Sequence, residues 1–165
     1  MTMHPRLAAH LRSGEVSRVV YGSIIGLALV LTLEVHPPGM AEVVGTLLAT
    51  ALAVALAELY SELVGARARA GMGAATEPLR SVVGETAAVA FGIAFPSVFF
   101  LAAGLNLVDP DTAFALAKWT GLGLIAGYGY VAARLSGTRP ATALLHALLV
   151  ALIAATLIAL KALVH

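Results

Sequence analysis

The chain has 165 residues, of which 60% are hydrophobic and 12% charged, against roughly 45–50% and 25% in a soluble domain. A water-soluble fold of this size cannot hide so much apolar surface, and a formal net charge of +1 with no continuous basic face gives no reason to expect a nucleic-acid partner. The absence of cysteine excludes disulfides, thiolate metal sites, haem attachment and cysteine nucleophiles.

The first apolar run lies between Glu15 and Glu34, has Arg18 near its start, and predicts a helix over 16–33. It approaches the about 20 residues that cross a hydrocarbon core. Arg6 and Arg12 precede it, but no small-residue cleavage pattern follows, so it reads as a span and not as a leader. His36, Pro37, Pro38 and Gly39 then read as a tight exposed turn. A second helix is predicted over 43–64, with Glu58 and Glu62 in its last turns, and a third over 86–107, kinked at Pro96. Asp109, Pro110 and Asp111 are a helix start, and they open a fourth over 112–133. Pro140 introduces the fifth, over 141–163. The runs are Ala- and Leu-rich and lack the alternation of barrel strands. The expected fold is therefore an all-α integral membrane bundle of five transmembrane helices forming a single domain.

Basic residues occur before the first helix, between the second and third (Arg67, Arg69, Arg80) and between the fourth and fifth (Arg134, Arg139), whereas the other two connections have none. By the positive-inside rule the N-terminus is cytoplasmic and the C-terminus outside. A bacterial cytoplasmic membrane is the expected location. Lys118 and Lys161 fall near outer helix ends, where a long amine can snorkel to the headgroups, and Trp119 fits an interfacial belt.

Small residues every fourth position mark faces where helices meet in lipid. Gly22 and Gly26 form such a face in the first helix, Gly45, Ala49, Ala53 and Ala57 in the second, Gly123 and Gly127 in the fourth, and Ala143, Ala147, Ala151, Ala155 and Ala159 in the fifth. A tight bundle is expected, with a homodimer contact on one of these stripes.

Charges away from helix ends are costly in lipid and mark candidate sites. Glu58 lies about two turns from the cytoplasmic end of its helix, at the depth of Tyr21, Ser23, Tyr128 and His146. A carboxylate and an imidazole in one layer can relay protons or hold a cation. Equally, Glu58 can pair with Arg18 or a tyrosine hydroxyl and only fix helix register. The histidines are scattered, no paired metal-ligand motif occurs, and neither a cofactor nor an enzymatic nucleophile is indicated.

At whole-chain level the sequence resembles the vacuolar iron transporter family. Tyr21-Gly22-Ser23-Ile24-Ile25-Gly26 stands where that family has an aromatic-Gly-Ala-Asn-Asp-Gly motif, Glu58 stands at its helix-two glutamate, Gly92 to Pro96 resembles its third helix, and Gly127 to Arg139 its basic loop. The resemblance implies five helices, a cytoplasmic N-terminus, a dimer and a cation pathway through Glu58. Ile25 replaces the family's helix-one aspartate and Val54 its helix-two methionine, and the short segment from Ala66 to Gly84 replaces its cytoplasmic metal-binding helices. A small cation or proton transporter is the leading expectation. The rival is a non-transporting scaffold or subunit, held together by its small-residue faces.

Overall fold

The computed structural model describes residues 15–71 and 79–135, with positions 139, 141, 142, 144, 145, 148, 149, 152 and 156. The described residues are helical or in turns. They form α1 (Glu15–Leu33), α2 (Met40–Gly71), α3 (Leu79–Ala94), α4 (Ser97–Gly104) and α5 (Pro110–Leu135). Most of the fifth span expected from sequence lies outside the described residues.

The 19 residues of α1 reach about 28 Å at 1.5 Å each, close to the hydrocarbon thickness. It ends before Pro37 and Pro38, and α2 restarts on the Gly39 carbonyl, which accepts the amides of Glu42 at 2.8 Å and Val43 at 3.0 Å. With 32 residues α2 runs one to two turns beyond the expected end at 64, because the Glu- and Arg-bearing segment after Glu58 is made of good helix formers.

The expected third helix is instead two. Pro96 has no amide to offer the Gly92 carbonyl and its ring crowds the preceding turn. The chain therefore bends by 44° between α3 and α4, and the Ser97 hydroxyl donates to the Ala94 carbonyl across the break. α4 closes with Asn106 at φ 60°, the left-handed cap conformation that Asn tolerates, while the Leu107 amide donates to the Ala102 carbonyl at 3.0 Å.

Asp109 then caps α5, accepting the Thr112 amide at 2.9 Å and the Thr112 hydroxyl at 2.7 Å, with Pro110 at the first helical position. These two bonds hold the Asp109 carboxyl below the ordinary aspartate range. A depressed acid stabilises the fold above its unfolded-state value of about 4 and loses that contribution as pH falls through the lower folded value. Asp109→Ala should therefore lower the melting temperature at pH 7, and the gap to wild type should narrow progressively as the pH of melting is taken below about 4.

Among the described residues, two helices are long and apolar enough to cross a membrane, within Val16–Leu33 and Met40–Arg69, and the bent pair α3–α4 makes a third if it crosses as one. α2 turns Leu48, Leu52, Leu56 and Tyr60 outward, a contiguous apolar face.

α1 packs along α3 in parallel and along α5 on its other flank, whereas α2 packs on α3 and α4 and barely meets α1. The α1–α3 contact is made backbone to backbone. A Cβ on Gly22 would collide with the Val89 carbonyl, one on Gly26 would lie 2.9 Å from the Gly92 carbonyl, and one on Gly92 would lie 2.7 Å from the Val19 carbonyl and 2.5 Å from the Ser23 amide. Above this crossing, Val30, Val43, Leu47, Phe100, Ala103, Ala113, Phe114 and Ala117 form the largest apolar cluster. Within it the Phe100 and Phe114 rings meet edge to face at 4.8 Å.

The contacts are reciprocal: Gly22 meets Val89, and Gly92 meets Val19. One constant offset carries Val19, Gly22, Leu27, Val30, Val43, Leu47 and Ala51 onto Val89, Gly92, Ser97, Phe100, Ala113, Ala117 and Gly121, and every one of these positions is buried. The same offset carries the first residue of α2, Met40, onto the first of α5, Pro110. The bundle is thus two helical hairpins, α1–α2 and α3–α4–α5, pointing the same way about a pseudo-two-fold axis between α1 and α3. Each hairpin lays its first arm against the second arm of the other.

Candidate functional site

At the end of the bundle where α1 starts and α2 finishes, three helices bring charges together. The first turn of α1 presents Arg18, the late turns of α2 present Glu58 and Glu62, and α3 presents Glu85. The Arg18 guanidinium donates to Glu58 Oε2 at 2.5 Å from Nη1, while Nη2 lies 3.3 Å from Glu85 Oε2 and 3.8 Å from Glu62 Oε1. Glu62 is shared with Arg69, whose Nη2 is 3.4 Å from Glu62 Oε2. Three carboxylates and two guanidinium groups leave one formal negative charge.

The Glu58 side chain is 19% exposed and that of Arg18 29%, so the pair is screened by solvent less than a surface pair and desolvated less than a core one. The cluster can accept a proton or a small cation on its excess carboxylate, and it ties together α1, α2 and α3. Among the described residues, no group of His, Cys, Asp and Glu side chains is arranged to hold a metal ion.

The layer expected from sequence is only partly assembled. The hydrogen bond of Glu58 goes to Arg18, not to Tyr21, Ser23 or Tyr128. Tyr21 points outward at 49% exposure. Ser23 is buried at the α1–α3 crossing, and its hydroxyl has no partner. Tyr128 is half-buried and, with Gly123, Leu124, Gly127 and Val131, lines an open groove of about 500 Å³ on α5. His146 lies outside the described residues. Gly22 and Gly26 sit in the intrachain crossing, while Gly45, Ala49, Ala53 and Ala57 of α2 face outward and the alanine stripe of 143–159 lies outside the described residues.

Lys118 does not snorkel away from the bundle. Its Nζ reaches Glu34 Oε1 at 2.5 Å, across the far end of α1. Sequence reasoning also missed Glu85, because the third helix was expected to begin after it. The signal was present: Glu-x-x-x-Val-x-aromatic-Gly occurs at Glu15–Gly22 and again at Glu85–Gly92.

Comparison of the chain with protein-family models, with curated proteins and with solved structures finds no match.

Proposed function

We propose that the chain is a five-span membrane protein, with its N-terminus and the Arg67–Arg80 segment on the cytoplasmic side, that moves a cation or protons past Glu58. The apolar composition, the basic-residue asymmetry and the helices of membrane-spanning length support the membrane placement. The resemblance to the vacuolar iron transporter family, carried by Glu58 and the glycine positions, supports the scaffold. One observation carries the transport reading. Glu58, Glu62 and Glu85 outnumber the guanidinium groups of Arg18 and Arg69 by one at a half-buried position, an excess charge that a proton or a cation can neutralise and that the equivalent positions Ala88 and Tyr128 do not repeat.

Iron itself is not favoured, since Ile25 and Val54 offer no ligands where the family has them. A second reading, a non-transporting scaffold or subunit, is favoured by the direct Arg18–Glu58 pair. Flux in proteoliposomes separates the two. Glu58→Gln keeps the shape but cannot exchange a proton or supply a full charge, so it should fold, assemble and lose at least tenfold in pH-driven flux. Normal flux in well-folded Glu58→Gln protein would move the assignment to the scaffold.

A further inference from the structure

The inter-helix ion pairs of Arg18 and of Glu34 sit at opposite ends of α1. Arg18, in the first turn, holds Glu58 of α2 and Glu85 of α3. Glu34, just past the last turn, holds Lys118 of α5. They are separated by about 24 Å at 1.5 Å per residue, most of a hydrocarbon core. Arg18–Glu58 lies within the first hairpin, whereas Arg18–Glu85 joins it to α3 and Glu34–Lys118 joins it to α5, so each end carries one ion pair between the hairpins.

The offset that relates the hairpins shows that neither tie is repeated. At the positions equivalent to Glu34 and Lys118 the bundle has Gly104 and Leu48, just as it has Ala88 and Tyr128 for Arg18 and Glu58. Between the ties the helices cross on bare backbone at Gly22 and Gly92, which closes the pseudo-two-fold axis to any solute. At that height α1 continues straight through Gly26, while its counterpart bends by 44° at Pro96. Parallel repeats related by an axis along the membrane normal alternate access by rocking one repeat against the other. Such a motion must break contacts at one end while keeping those at the other.

We infer that Arg18 with Glu85, and Glu34 with Lys118, the ion pairs that join the two hairpins, are the two end latches of an alternating-access cycle, and that the structure, with both latched, is the closed state. The inference rests on the transport reading, but the latches can be read without flux. The chain has no cysteine, and Ser23 is a buried reporter position between the latches whose hydroxyl makes no hydrogen bond to lose. Ser23→Cys protein in proteoliposomes is treated with a membrane-impermeant maleimide, supplied outside or trapped inside. The reporter alone should label slowly from both sides. Adding Arg18→Gln should raise the rate at least tenfold from the Arg67 side only, and adding Lys118→Gln should raise it from the opposite side only. The charge exchange Glu34→Lys with Lys118→Glu should restore slow labelling.

Unchanged rates in both single variants, or equal acceleration from both sides, would overturn the latches, as would a charge exchange that fails to restore protection. Proton flux through the parent protein is measured in the same vesicles. Absent flux with the expected labelling would remove the transport reading alone, whereas flux with unchanged labelling would remove the latches alone.

Discussion

Gly92→Leu should be among the most damaging single changes in the protein, lowering its melting temperature in detergent by roughly 6 to 12 °C or preventing recovery of folded material. A Cβ there would lie 2.5 Å from the Ser23 amide, 2.7 Å from the Val19 carbonyl and 2.8 Å from the Gly22 carbonyl carbon. All three obstacles are backbone, so α1 and α3 must separate along their shared seam. Overpacking in a well-filled interior costs about 1–3 kcal/mol when side chains can yield, and here no side chain can. Gly22→Leu should behave alike, because the Val89 backbone blocks it in the same manner. Gly45→Leu is the control: nothing lies within 4 Å of a Cβ at that position, and the change should stay within about 0.5 kcal/mol of wild type. Equal melting temperatures for Gly92→Leu and Gly45→Leu would show that the α1–α3 crossing is not the centre of the fold.

The helical class was legible because long apolar runs bounded by Glu15, Glu34, Pro37 and Asp109 leave few alternatives in lipid. Periodicity could not say which helices are neighbours. Gly22 and Gly26 were readable as a contact face, but the partner, Val89 to Ile93, follows only from the way the two hairpins interlock. The same limit applies to the charges. Tyr21, Ser23 and Tyr128 share a depth with Glu58, yet depth fixes one coordinate of three, and the rotation of each helix about its own axis sends Tyr21 outward and Ser23 into the crossing. Glu34 and Lys118 looked like independent end residues, because nothing local indicates that α1 and α5 lie side by side.

The near-repeat of the two hairpins separates the features of the bundle that are shared from those that are not. A half-buried carboxylate in a unique environment can always be a packing accident neutralised by the nearest guanidinium. In this bundle the positions equivalent to Arg18 and Glu58 carry Ala88 and Tyr128. These two charges thus belong to one hairpin alone and are not part of the packing pattern the two hairpins share.

Arg18→Gln should destabilise the protein more than Glu58→Gln, and the order of the two is the sharper test of the site. Losing the Arg18 guanidinium leaves Glu58, Glu62 and Glu85 facing one another, with Arg69 3.4 Å from Glu62 as the remaining countercharge. Losing the Glu58 carboxylate leaves Arg18 with Glu85 at 3.3 Å and Glu62 at 3.8 Å. Breaking a fully buried pair costs about 3–5 kcal/mol, and an exposed pair contributes less than about 1 kcal/mol. Side chains at 19–29% exposure lie between these limits, so Arg18→Gln should cost about 2 kcal/mol and Glu58→Gln about half of that. The double variant should cost less than the sum of the singles, because residues in direct contact are not additive. Melting curves of the three variants in one detergent measure all of this. If Glu58→Gln proves the more damaging, the carboxylate is held by something other than Arg18, and the Arg-centred cluster is not the unit that joins α1, α2 and α3.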